Sequence, residues 1–279
     1  MSNLKLWVKR NFSGIIYFTR TKKNRNKITK NWLHSLVTLR LQKLSDASYN
    51  VFTYHGEDGI LLYLLTKMEN VPTTFVDIGA GDCIKSNCSN LVVHYDWQGV
   101  FIDQNKKQLA VGKRFYQSKI NKGASLKFLE KTITKDNVNS VVQETGITGE
   151  VGLLSIDIDG NDYWIWKAVE IIQPRIVIIE AKVEFGERSI VVPYGDNNHH
   201  TADKMYNGAS VEALRKLGLE KGYKLAGANK QGYNLFFVRI NESFPAETTE
   251  QVLNDPDTMK SFYPESFFHE HIFEIKKTD

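Results

Sequence analysis

Phe75-Val-Asp-Ile-Gly-Ala-Gly-Asp82 is an apolar run that ends in a glycine-spaced acidic turn, and 24 residues after Gly79 a second apolar run, Gly99-Val-Phe-Ile-Asp103, closes on Asp103. Glycines at a strand's carboxyl end let the backbone approach a ligand, and a carboxylate one strand over accepts the two hydroxyls of a ribose. The pair of runs therefore reads as a nucleoside site. A dinucleotide site calls for a third glycine near position 84, where this chain has Ile84, and Asp77 and Asp82 repel a pyrophosphate. A cationic, phosphate-free nucleoside fits better, and S-adenosylmethionine is the common one.

Outward from this pair the chain alternates. Ser125–Leu129 reads as a third strand, and Val151–Asp157 and Arg175–Glu180 are nearly all apolar, as strands buried on both faces are. Helical stretches fall between them at Gly59–Met68, Asn87–Tyr95, Lys106–Tyr116, Val138–Thr145 and Asp162–Ile172. After the fifth strand come a polar loop (189–207), a helix from Ala209 to Lys221, and strands Tyr223–Gly227 and Tyr233–Ile240. The short connection 228–232 makes this last pair an antiparallel hairpin at the sheet edge. The order predicts an α/β, Rossmann-like domain over residues 51–240 with a mostly parallel sheet, an antiparallel edge strand and helices on both faces.

The flanks differ in character. Residues 1–50 hold eleven Lys and Arg against the single acid Asp46, a net +10 that leaves −6 for the rest of a +4 chain. They read as a basic helical extension, without the apolar run of about 18 residues that a membrane span needs. Peripheral contact with an anionic membrane is one expectation for such an arm. Residues 241–279 carry Phe244, Phe262, Tyr263, Phe267, Phe268 and Phe273, an aromatic density that suits covering the pocket or a homodimer contact. Hydrophobic residues make up 42% and charged ones 24%, which excludes disordered, collagenous and coiled-coil chains. Two cysteines, Cys83 and Cys88, are too few for a disulfide scaffold and suit a reducing cytoplasm, as small packing residues.

Five ordered blocks add a resemblance. Tyr54-His-Gly-Glu-Asp-Gly59, Phe75–Asp82, Trp97-Gln-Gly-Val-Phe-Ile-Asp103, Leu154-Ser-Ile-Asp-Ile-Asp-Gly-Asn-Asp162 and Ile179-Glu180 are similar to those of the FkbM-type S-adenosylmethionine-dependent methyltransferases. The resemblance covers roughly residues 50–240. It implies a seven-stranded class I methyltransferase fold, S-adenosylmethionine across the ends of strands one, two and four, and O-methylation of a sugar or other small polar acceptor in surface-glycan or natural-product biosynthesis. It also implies that Asp77, Gly79, Ala80 and Gly81 line the methionine part, Asp103 the ribose, Thr132 or Ile133 the adenine edge, and Asp157 the methionine amino group. Glu57 and Asp58, otherwise plain capping charges before a helix, would close over the cofactor. The family often carries Asn two residues after the Glu180 position, where this chain has Lys182.

Asp157, Asp159, Asn161 and Asp162 crowd the end of strand four, with Glu180 ending strand five beside them. Like charges so placed call for relief by a cation or an ammonium. Three readings stand together: Asp159 and Glu180 as ligands of Mg²⁺ or Mn²⁺, the same two as a metal-free acceptor-side base, or plain capping of the helix at Asp162. His199 and His200, in the loop after strand five, are further candidates for taking a hydroxyl proton. His269 and His271, two apart, form a short chelating pair with no other ligand signal near them. Nucleic acid is not an expected partner, since no proline-aromatic block follows strand four. A non-catalytic S-adenosylmethionine-binding module docked to a membrane or glycan-assembly complex is the competing expectation.

Overall fold

A computed structural model describes residues 41–119, 125–195, 207–266 and 268. Seven strands form one sheet: β1 (Thr74–Ile78), β2 (Gln98–Asp103), β3 (Leu126–Glu130), β4 (Gly149–Ile156), β5 (Ile172–Glu180), β6 (Tyr223–Ala228) and β7 (Asn234–Arg239), in spatial order β3-β2-β1-β4-β5-β7-β6. The first five pair in parallel, and β7 runs antiparallel to both β5 and β6.

Period-two alternation divides the strand residues between two cores. Val76, Ile78, Val100, Ile102, Leu154 and Ile156 face one core, which is closed by α4 (Val138–Glu144), α5 (Asp162–Ala168) and α6 (Val211–Glu220). Phe75, Phe101, Leu153, Ile176, Ile178 and Phe236 face the other, under α1 (Glu57–Thr66), α2 (Ser89–Tyr95) and α3 (Lys106–Gln117). Continuous apolar runs were the right signal for strands covered on both sides. The seven strands in this order, with one antiparallel member and helices on both faces, form a doubly wound, Rossmann-like sheet.

Two expectations are corrected. The antiparallel strand is not at the edge: β7 lies one place inside it and β6 takes the edge. Leu235, Phe236, Phe237 and Val238 are fully buried and need a neighbour on either side, whereas β6 carries Ala226, Gly227 and Ala228 and is interrupted by a bulge between Leu225 and Gly227. The helix expected over Asp162–Ile172 stops at Ala168. The Asn139 side chain donates to the Ala168 carbonyl (2.8 Å) and accepts from the N–H groups of Glu170 (2.8 Å) and Ile171 (3.0 Å), which turns the chain directly into β5. Residues on both sides of the 51–240 span also pack against the body. Leu44 and Ala47 are buried against α1, Leu44 N–H donates to Glu247 (3.3 Å), and Val252 and Leu253 of α7 (Thr249–Leu253) enter the first core.

The aromatic tail packs on the segment after β5: Tyr263 and Phe268 join Phe185, Ile190 and Val192 in a small cluster. The rest of the basic arm and His269 and His271 lie outside the described residues, within which no helix is long and apolar enough to cross a membrane.

Among the described residues Trp166 is the largest fully buried side chain, with its ring 4.7 Å from Phe237 and 6.0 Å from Tyr223. Gly218 of α6 sits against it and has no room for a Cβ. Trp166→Ala is expected to lower unfolding free energy by about 3–5 kcal/mol in urea denaturation; a loss below about 1 kcal/mol would contradict this packing.

Candidate active site

The carboxyl ends of β1, β2, β4 and β5 and the amino end of β7 open into a cleft of two lobes. The larger, about 690 Å³, is lined by Glu57, Asp77, Ser86, Asp157, Glu180 and Asn234 among others. The smaller, about 370 Å³, is lined by Asp103, Thr132, Ile133, Asp159 and Asn161. Gly79, Gly81, Gln108 and Asp157 border both lobes.

The glycine turn makes the floor. Gly79 has φ +83°, and a Cβ there would lie 1.7 Å from the Asp157 carbonyl oxygen, so only glycine fits between β1 and β4. Gly79 and Ala80 donate their N–H groups to Ile102 O (2.9 and 3.1 Å), which ties the turn to the end of β2. Asp103 completes the tie: one carboxylate oxygen accepts from Gly81 N–H (2.7 Å) and the other from Asn105 N–H (2.6 Å). Each oxygen keeps a second lone pair, and Asp103 lines the smaller lobe. Asp82 accepts from Ile84 and Lys85 N–H (2.8 and 3.1 Å) and shapes the loop. Asp77 is buried and accepts from the Ser86 hydroxyl; burial pushes its carboxyl up to about 6.

Asp58 and Glu57 differ in use. Asp58 is sealed in and accepts from the N–H groups of Val51 (2.8 Å), Phe52 (2.6 Å) and Thr53 (2.8 Å), so it anchors the loop before α1. Its burial raises it to about 6 despite those bonds. Glu57 lines the larger lobe, and its oxygens accept from Asn229 Nδ2 (2.8 Å), Asn234 Nδ2 (3.0 Å) and His55 N–H (2.9 Å). Asn229 and Asn234 were not singled out from the sequence. They stand more than 170 residues from Glu57, and only the β6–β7 hairpin brings them to it.

The acids at the ends of β4 and β5 group differently from the expectation. Carboxylate oxygens of Asp157, Asp162 and Glu180 lie within 4.8 Å of one another. Asp159 is not among them: it is exposed, takes a left-handed φ of +57° and lines the smaller lobe, whereas Glu180 lines the larger. The left-handed residue turns the chain, so Asp157 borders both lobes and joins the trio while Asp159, two residues on, lines the smaller lobe alone. His199 and His200 fall outside the described residues.

The repulsion in the trio is relieved from within the chain. Asp162 is buried, and its two oxygens accept from Ile158 N–H and Gly160 N–H, both at 2.9 Å. Glu180 Oε1 accepts from Lys182 Nζ at 2.7 Å, with both side chains 18% exposed. A divalent ion needs carboxylate oxygens facing one point, and here two acids are committed to N–H donors and the ammonium already supplies the cation. The donor set does not fit a metal. Burial raises Glu180 to about 7, with Lys182 opposing the rise and Asp162 and Asp159 adding to it. Asp157 is open to the cleft; partial enclosure by the protein raises its carboxyl, and Glu180, Asp162, Asp159 and Asp77 push it further, to about 8. Glu180 Oε2 is buried without a hydrogen-bond partner. Cys83 and Cys88 are buried and free, and burial pushes both thiols up, as packing residues require.

No protein-family model and no curated protein matches the sequence. Among solved structures, the chain is similar to magnesium protoporphyrin IX methyltransferase from Synechocystis PCC 6803 with bound SAM, at 12% identity over 66% of this chain and 77% of that one, with a TM-score of 0.41. It is also similar to an O-methyltransferase family protein from Burkholderia thailandensis (12% identity, 66% and 57% covered, TM-score 0.42) and to the cyclopropane synthase MmaA2 from Mycobacterium tuberculosis (12%, 66% and 67%, 0.39).

The raised Asp157 carboxyl has a consequence for stability. Its folded value lies above that of the unfolded chain, so the stability it leaves intact below about pH 4 is lost as pH rises to about 8. Asp157→Asn removes that loss. Its melting temperature should gain progressively on the wild type between pH 4 and pH 8 and hold the gain above that, and a pH-independent difference would contradict the clustering of charge.

Proposed function

We propose that the chain is an S-adenosylmethionine-dependent methyltransferase that methylates an oxygen of a small polar acceptor, such as a sugar or glycan-linked hydroxyl. The observation that carries the reading is the Gly79–Gly81 turn tied to Asp103 and opening without a break into an acid-lined lobe. A nucleoside fits the first part and its cationic amino-acid tail the second. The five sequence blocks similar to FkbM-type methyltransferases support the oxygen acceptor.

When bound, S-adenosylmethionine supplies an electrophilic methyl group on a sulfonium. Asp103 would hold the ribose hydroxyls, with Thr132 and Ile133 at the adenine edge of the smaller lobe. Asp77 and Asp157 would face the ammonium of the tail. Acids and no phosphate-binding cradle favour this cation over a dinucleotide. Tyr54, His55 and Tyr233 line the outer part of the larger lobe, and such amphipathic rings suit a polar ring stacked on them. An alcohol stays protonated at neutral pH, so its proton must leave as the new carbon–oxygen bond forms. Glu180, which lines the larger lobe and has Oε2 without a hydrogen-bond partner, is the group to take it; Asp159 lines the smaller lobe.

Calorimetry tests the cofactor. S-adenosylmethionine and S-adenosylhomocysteine should bind and NAD should not, and Asp103→Ala should weaken binding by about 10–100-fold, or about 1.5–3 kcal/mol for a charge-assisted pair. Preferential binding of NAD would overturn the reading.

A further inference from the structure

Lys182 is hydrogen-bonded to one charge of the cluster, Glu180. Among the described residues it forms the cluster's one ion pair, to Glu180 Oε1, and leaves Oε2 of the same carboxylate buried and unpartnered beside the larger lobe. The lysine is itself fixed. Its N–H donates to Ala209 O (2.8 Å), and its stem lies over Gly208, where a Cβ would come within 3.1 Å of Lys182 Cγ. Gly208 has φ +76°, and the backbone wall it forms with Ala209 is pinned by the antiparallel bridge between Val191 and Ala209. A lysine on a free surface samples many rotamers, whereas this one is held in a slot cut for its methylenes.

The charged groups that face the pair are few. Asp157 and Asp159 follow β4, Asp162 opens α5, and Glu184 follows Lys182 in the chain. All are acids, so Lys182 alone favours the ionised form of Glu180 against burial and the like charges of Asp157, Asp159 and Asp162. It also decides which oxygen is free, because the oxygen bonded to the ammonium cannot turn to the cleft without losing that bond.

We propose that Lys182 is a positioning residue for methyl transfer, holding Glu180 ionised with Oε1 engaged so that Oε2 presents its lone pairs to the acceptor hydroxyl. This inference rests on the methyl-transfer reading. In the step it serves, the acceptor oxygen forms a bond to the methyl carbon, the carbon–sulfur bond breaks with its electron pair going to sulfur, and the hydroxyl proton passes to Glu180 Oε2. Lys182 exchanges no proton. It occupies the place a divalent cation would take in a site built only of carboxylates, and does so without closing off the second oxygen.

The test needs no acceptor. Full-length protein labelled with ¹³C at glutamate Cδ is titrated by NMR, with the Glu180 signal identified by its loss in Glu180→Gln. In the wild type it should titrate near pH 7. Removing an opposite charge at contact distance in Lys182→Met should move the midpoint up by about 1–3 pH units, and Lys182→Arg should restore it to within about half a unit of the wild type. Should Lys182→Met fail to fold, Lys182→Gln keeps a polar head in the same slot and should give the same upward shift. A residue that only packs would change the melting temperature and leave the midpoint where it was, and an unmoved midpoint in a folded variant overturns the proposal. Calorimetry with S-adenosylhomocysteine on the same samples separates the two readings. Binding without a shift removes the role of Lys182, and a shift without binding removes the methyl-transfer reading.

Discussion

Parallel strands that end side by side bring their terminal side chains within about 5 Å of each other, and in this chain β5 ends at Glu180 while Asp157 directly follows β4. Their register pairs Ile156 with Ile179, so the two carboxylates come next in line. Two acids on adjacent strand ends, with Asp162 behind them, repel one another, and the site exists because that repulsion is met locally. Backbone N–H groups of the turn before α5 take Asp162, and the Lys182 ammonium takes one oxygen of Glu180. What remains is a wall of acceptors facing a cleft, which selects for a cationic or proton-donating occupant.

The other half of the cleft rests on geometry more than charge. Gly79 passes so close to the Asp157 carbonyl that a methyl group there would force β1 and β4 apart. Asp103 has a double use: it fixes the glycine turn through Gly81 and is left at the rim of the smaller lobe. The residues that shape the floor are therefore the residues that meet the ligand, and the sheet's two buried faces hold them in place.

Much of this was readable in one dimension because it is local. Apolar runs such as Val100-Phe-Ile and Leu153-Leu are strands covered on both faces, and glycines at the end of one of them mark a close approach. The misplacements have long-range causes. Asn139, some thirty residues upstream, ends α5 early, and the order of β6 and β7 is decided by which strand must be covered on both sides. Asp159 looked equivalent to Asp157 in sequence, yet with its left-handed backbone it lines the smaller lobe alone, apart from the group of Asp157, Asp162 and Glu180. Asn229 and Asn234 reach Glu57 only through a hairpin. Lys182 stood out only as a departure from a family pattern, and its meaning depends on a slot formed by Gly208 and Ala209.

The account's central claim is that one cleft holds a nucleoside against Asp103 and presents its reactive end to Glu180. A crystal structure of the protein with S-adenosylhomocysteine tests this directly. The ribose hydroxyls should lie on Asp103 and the sulfur in the larger lobe, nearer to Glu180 than to Asp159. A complex in which the sulfur faces Asp159, or in which the nucleoside leaves Asp103 unoccupied, would contradict it.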